Sequence, residues 1–214
     1  MLLDDETRRI REETKKRFKT MTFSQKAEYF FMYYKWVLAV AAGVILLLFA
    51  VKDWMENMKK QQILGIMAIS CDQTLPDDVT GEIKEIIGGS GKYEEVGLIR
   101  TIMSDPETGE FDYNSQMAFV AMLQGYEVDV ILMPEKTTDT AGGTALFSSL
   151  SEKLEGETLG DNVHLDGDFL VLEPGHPAYE DFGFYYEPVY VGLVGYSKNE
   201  EYALAWIRSL ARLS

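Results

Sequence analysis

Few groups in this chain are of a type that does chemistry, and their spacing decides most of them. The single cysteine, Cys71, excludes an internal disulfide framework and any zinc site built on cysteines. Two histidines, His164 and His176, stand near carboxylates, but lone histidines in a chain of this size usually serve structure rather than zinc. Gly88-Gly89-Ser90-Gly91-Lys92 has the look of a phosphate loop. That motif needs a glycine where Ile86 stands and must open a helix after a strand; this run does the reverse and reads as a helix stop. Asn162 to Glu173 approaches a calcium loop, with Asp166 and Asp168 beside Gly167 and Glu173 closing it. His164 falls where an oxygen ligand belongs and Asn162 replaces the opening aspartate, so Asp166-Gly167 reads as a hairpin turn. There is no Gly-x-Ser-x-Gly elbow, no His-Glu-x-x-His and no isolated carboxylate pair. The expectation is a non-enzyme without catalytic residues, metal or cofactor.

One group of residues survives. In open α/β sheets ligands bind beyond the carboxyl ends of the strands. Those ends are Ser70-Cys71-Asp72, Ser104-Asp105 and Pro134-Glu135-Lys136-Thr137, the last continuing through Thr138-Asp139-Thr140 to Gly142-Gly143-Thr144. The candidate binding residues are Ser70, Asp72, Ser104, Asp105, Glu135, Lys136, Thr137, Thr138, Asp139 and Thr140. Threonine hydroxyls and the free N–H groups of a helix opening near Thr144 would take a carboxylate or other polar group. Glu135 and Asp139 oppose an anion and Lys136 partly offsets them, which favours a peptide or protein surface over phosphate. The competing reading is an ordinary helix cap with its preceding loop.

These residues need elements to hold them, and the chain is organised around Trp36 to Val51, WVLAVAAGVILLLFAV, which carries no charge. With Tyr33, Tyr34, Trp36 and Trp54 as interfacial aromatics, and Lys35 and Lys52 snorkelling, a helix from Tyr33 to Trp54 would run roughly 31 Å, the thickness of a bilayer core. A cleaved signal peptide is not expected, because Val51-Lys52-Asp53 offers no small-residue cleavage site. The net charge of −15 is unevenly spread: residues 1–35 hold nine Lys/Arg against six Asp/Glu, residues 36–214 eleven against twenty-nine. The positive-inside rule then places the N-terminus in the cytoplasm and the acidic part outside. An acidic outer domain argues against nucleic acid.

The segments expected are a cytoplasmic basic and aromatic segment 1–35, a transmembrane helix 36–54, a helical stalk 55–62 and an extracytoplasmic domain 63–214. Residues 4–20 are almost all charged, and Thr22 to Gln25 forms a capping box. Strands are expected at 63–70, 93–104, 128–134, 163–165, 168–172 and 187–196, and helices at 75–87, 115–124, 144–154 and 199–213. The closing helix presents Ala203, Leu204, Ile207, Leu210 and Ala211 on one face. Alternating strands and helices give the fold class: α/β, one three-layer lobe with a mostly parallel sheet and a β-rich C-terminal part, preceded by one transmembrane helix.

Three stretches carry a resemblance. Ala118 to Leu132, with its helix, small-residue turn and Val128-Asp129-Val130-Ile131, resembles bacterial extracellular solute-binding proteins. Phe147 to Leu154 is similar to a helix of that family. Glu187 to Asn199 resembles the strand by which such chains return to their first lobe. The front end, Phe23 to Trp36, resembles the juxtamembrane part of single-pass proteins from Gram-positive gut bacteria. The resemblance covers roughly residues 63–213 and implies a single binding lobe, since the length between Leu132 and Glu187 falls short of a second one. It leads to a membrane-anchored, extracytoplasmic, non-enzymatic binding or scaffold domain. Its partner would be another membrane or extracytoplasmic protein or, as second choice, a small ligand. The alternative is a single-pass sensor that passes an outer signal to a cytoplasmic partner through residues 1–35.

Overall fold

The computed structural model describes residues 9, 15, 21–76, 78–142 and 145–213. The expectations for residues 4–20, and for Thr144 as a helix start, lie outside the described residues. Two compact units divide at Met58 and Lys59.

The first unit is built on α1, Phe23–Asn57. Its start follows from the capping box: Thr22 N–H donates to Gln25 Oε1 at 3.1 Å, satisfying one of the orphan donors of a helix end. Within α1, the 23 residues Lys35–Asn57 are long and apolar enough to cross a membrane, with mean hydropathy 2.1 in their most apolar window. Trp36, Leu46, Phe49 and Trp54 are each more than 60% exposed, although burying such side chains is worth about 1.5–3 kcal/mol apiece. The helix closes at Asn57 and the chain re-enters as a strand at Gln61, so the stalk expected over 55–62 is helical only through Asn57.

The second unit is a mixed α/β fold. Its elements are β1 (Gln61–Ala68), α2 (Val79–Ile86), β2 (Glu94–Ile99), α3 (Tyr113–Gln124), β3 (Val130–Pro134), α4 (Thr137–Thr140), β4 (Phe147–Ser148), α5 (Leu150–Lys153), β5 (Val163–Asp166), β6 (Phe169–Leu172), α6 (Ala178–Phe182), β7 (Val189–Val194) and α7 (Glu200–Arg212). The strands form one sheet in the order β2-β1-β3-β7-β6-β5, with β4 on β7. Only β1 with β2 and β1 with β3 run parallel; the other pairings are antiparallel. The expected mostly parallel sheet is therefore confined to its first three strands. The reason is chain direction: α2 and α3 return the chain for parallel pairing, whereas β5–β6 is a tight hairpin and β7 comes back against β3 from the other end.

The continuous apolar runs are buried on both faces of the sheet, as expected for central strands. Leu64, Ile66, Val130, Leu132, Leu170 and Val191 pack with Ile83 of α2 and with Trp206, Ile207 and Leu210 of α7. Their neighbours Met67, Ile69, Ile131, Met133 and Val171 pack with Phe119 of α3 and with Phe147. Successive side chains alternate across a strand, which sorts the two clusters. α7 buries the expected face, with Trp206 in it and Leu204 only half-buried. The hairpin turn is Gly167-Asp168, one residue beyond the expected pair, with Gly167 at φ 57°.

Candidate functional site

The carboxyl ends of the parallel strands are tied together by hydroxyls. Ser70 sits just past β1 in a left-handed conformation, φ 54°, which costs a non-glycine residue about 1–2 kcal/mol. Its Oγ donates to Ser104 O at 2.8 Å and accepts from Ser104 N–H at 2.9 Å. Ser104 Oγ lies 2.9 Å from Thr137 Oγ1 at the start of α4. All three residues are buried. The structure thus brings Ser70, Ser104 and Thr137 together, with their hydroxyls turned on one another.

The remaining candidates lie outside this knot. Asp105 Oδ1 accepts from Glu107 N–H at 2.8 Å and Thr108 N–H at 3.2 Å, closing a turn. That turn rests on α4 through Gly109, φ 74°, where a Cβ would stand 2.2 Å from Lys136 O; only glycine fits. Asp105, Glu135, Lys136, Asp139 and Thr140 are exposed and Thr138 half-buried, its Oγ1 donating to Glu135 O at 2.7 Å. Asp72 belongs to a different neighbourhood, its N–H donating to Gly183 O at the end of α6. Its carboxylate accepts from Thr74 N–H and Oγ1–H, and these hydrogen bonds, the backbone one first, lower its pKa.

Two expectations about this end are corrected. Residues 137–140 form a helical turn, and the amides of Thr138, Ala141 and Gly142 already donate to Glu135 O, Thr137 O and Asp139 O. Among the described residues of this stretch, 145–154, no continuous helix runs through: Phe147–Ser148 pairs with β7, and the α-helix is confined to Leu150–Lys153. Phe147 and Leu150 are buried in different clusters, on opposite faces of the sheet, which one helical face cannot do.

Cys71 and His176 are buried, whereas His164 lies at the surface. The buried Cys71 thiol is pushed up to about 11 by burial, so it is a poor nucleophile near neutrality. His176 is buried; its Nδ1 accepts from Ala178 N–H at 3.2 Å, which assigns the proton to Nε2, 3.0 Å from Leu210 O. Burial lowers its pKa. His164 Nδ1 lies 3.4 Å from Glu173 Oε1 at the surface. Among the described residues, no cluster of three or more His, Cys, Asp or Glu is placed to hold a metal.

Sequence reasoning missed two groups at the opposite, amino end of the parallel strands. Asp129 is buried. Its Oδ2 accepts from Gly65 N–H at 2.7 Å and Asn199 Nδ2 at 3.1 Å, and its Oδ1 from Ser197 Oγ at 2.6 Å. A charged residue inside an apolar run was its signal, since a lone buried carboxylate must be hydrogen-bonded. Beside it Tyr126 and Tyr196 meet edge to face at 5.4 Å, lining a cleft of about 250 Å³ with Val120, Leu123 and Gln124. A second cleft, of about 210 Å³, lies among Leu75, Pro76, Val79 and the carboxylates of Asp78, Glu82, Glu180 and Asp181. Burial, then Glu82 and Glu180, raises the Asp181 pKa.

Comparison of the chain with family models, with curated proteins and with solved structures gives no match.

Proposed function

We propose that the chain is a single-pass, membrane-anchored binding or scaffold protein, with residues 1–35 in the cytoplasm and the acidic α/β unit outside. The observation that carries this reading is the apolar, outward-facing helix Lys35–Asn57, followed after only three residues by β1. The charge difference across it supports the orientation. The unit beyond is a three-layer lobe of solute-binding-protein type, a reading that draws on β7 returning antiparallel beside β3.

Its partner surface is the exposed end formed by Asp105, Glu135, Lys136, Thr138, Asp139 and Thr140. With the hydroxyls of Ser70, Ser104 and Thr137 engaged on one another, this end presents carboxylates, one lysine and short polar side chains. Such a surface suits another protein better than an enclosed small ligand, and catalysis has no part in the reading. The test has two parts. Protease added to intact, wall-stripped cells should digest the chain beyond Met58 and spare a tag at its N-terminus; the opposite protection refutes the orientation. Changing Thr138, Asp139 and Thr140 together to alanine should leave the melting curve in place while weakening crosslinked partner capture about tenfold, ~1.4 kcal/mol. Unchanged capture refutes the partner surface.

A further inference from the structure

The end of the lobe from which β1 starts gathers lysines and tyrosines. Lys59 and Lys60 precede β1, and Lys92 and Tyr93 precede the parallel strand β2, whose Glu94 pairs with Gln61. Gln62 Nε2 donates to Glu127 O at 2.6 Å, which sets Tyr126 beside the start of β1. Tyr196 follows β7, which runs against β3, so it emerges at the same end and touches Tyr126.

The lysines lie on the tyrosine rings. Lys59 and Lys92 Nζ are 5.5 and 5.2 Å from the Tyr93 centroid, and Lys198 Nζ is 4.3 Å from that of Tyr126. Among the described residues no carboxylate pairs with Lys59, Lys92 or Lys198. Neighbouring acids are in part engaged: Glu95 by Lys60 at 2.6 Å, Glu94 by Gly91 N–H at 2.7 Å and Glu200 by Lys153 at 2.5 Å, while Glu127 beside Tyr126 and Glu201 at the start of α7 are exposed. Among the described residues, the opposite end exposes Asp105, Glu107, Glu110, Glu135 and Asp139 around Lys136.

We propose that this amino end is a lipid-docking surface, in which Tyr93, Tyr126 and Tyr196 enter the headgroup region and Lys59, Lys92 and Lys198 contact anionic phospholipid. The proposal rests on the membrane-anchor reading. Covalent reach supplies the proximity, because the four residue steps from Asn57 to Gln61 span at most about 14 Å. Chemistry supplies the attraction. Tyrosine is enriched at membrane interfaces because it has an apolar body and a polar tip, and lysine stems snorkel. Each lysine near an anionic bilayer contributes a factor of about five in binding. Acidic groups gathered at the far end are repelled by the same surface. The Tyr126–Tyr196 cleft, walled by Val120 and Leu123, adds an apolar slot at headgroup depth.

The experiment uses the full chain in vesicles of phosphatidylcholine, with or without phosphatidylglycerol, and a shallow lipid-borne quencher. Cys71 is buried, so a cysteine introduced at Gln124, at the docking end, or at Glu107, at the far end, can be labelled selectively with a fluorophore. The label at 124 should be quenched well beyond that at 107, and more so with phosphatidylglycerol present. Lys59→Glu, Lys92→Glu and Lys198→Glu together should lower the docked population by more than about a hundredfold and abolish the difference. Equal quenching at both positions in chain that floats with the vesicles overturns the proposal and leaves the anchor intact. Quenching at 124 that survives the charge reversals assigns the contact to the tether and also overturns it. A chain that fails to float overturns the anchor reading and this inference together.

Discussion

Replacing Asp129 by alanine removes the acceptor for three donors at once, and the structure lets the cost be worked out group by group. Gly65 is buried, and its N–H donates to Asp129 Oδ2 at 2.7 Å. An orphaned, fully buried N–H costs about 1–3 kcal/mol. Ser197 and Asn199 are only partly buried, and losing their acceptor should cost about 1 kcal/mol each by the same reasoning. The expected loss for Asp129→Ala is therefore about 3–5 kcal/mol, a large part of the stability of a domain this size. Asp129→Asn should be far milder. Its remaining oxygen can serve Gly65 N–H and Asn199 together, while its amide donates to Ser197 Oγ, which already accepts from Asn199 N–H at 3.1 Å and has a second lone pair. About 1 kcal/mol is expected there. The assay is urea unfolding of the full chain in mild detergent, followed by the fluorescence of buried Trp206 with Trp36 and Trp54 replaced by phenylalanine. An alanine variant within about 1 kcal/mol of its parent, or an asparagine variant as damaged as alanine, refutes the hydrogen-bond accounting.

His176 carries a pH prediction. Burial lowers its pKa in the folded state, so below the unfolded value of about 6.5 the unfolded chain binds the extra proton. Stability should fall as pH drops from about 6.5 toward the folded value, and His176→Gln should flatten that decline in unfolding curves taken between pH 7 and 5. Gly65→Ala places a methyl 1.9 Å from Glu127 O and should destabilise by about 1–3 kcal/mol or more, read from the same urea curves. Cys71, buried with its thiol pushed up to about 11, should resist maleimide at pH 7.5 in the folded chain and react fully in urea; fast native labelling refutes the burial. Trp206→Ala should cost about 3–5 kcal/mol, because the side chain fills the core between α7 and Phe182 of α6.

Much of the fold was legible because it is written in periodicity. The runs at 63–70, 128–134 and 187–196 are apolar without alternation, and each contains a strand buried on both faces. Gly167 marked the β5–β6 hairpin, and the apolar stripe of α7 marked its buried face. Boundaries failed where one side chain intervened. The strand expected to reach Ser104 stops at Ile99, because Arg100 turns inward and its Nη1 donates to Leu75 O at 2.7 Å. The helix expected from Ser115 begins at Tyr113, because Asp112 caps it by accepting from Asn114 N–H and Ser115 N–H. Strand direction was not legible for β7, since an apolar run pairs equally well either way; only the position of its ends in space sets it against β3.

The candidate residues show the same division. That serines and threonines gather at the carboxyl ends of β1, β2 and β3 was readable from sequence. That they bond to one another was not, because the contacts join residues more than thirty positions apart in the chain. The difference matters for function. A hydroxyl facing solvent can exchange water for a ligand at little cost, whereas one already paired inside the fold must first break that bond. Ser70, Ser104 and Thr137 therefore act as a clamp. They tie the Asp105 turn to the start of α4, beside the exposed carboxylates around Lys136. On the proposed reading of this end as a partner surface, the rigidity of the buried hydrogen-bond chain would supply its specificity. Ser104→Ala should then impair partner capture through loss of that rigidity even though its side chain is out of a partner's reach.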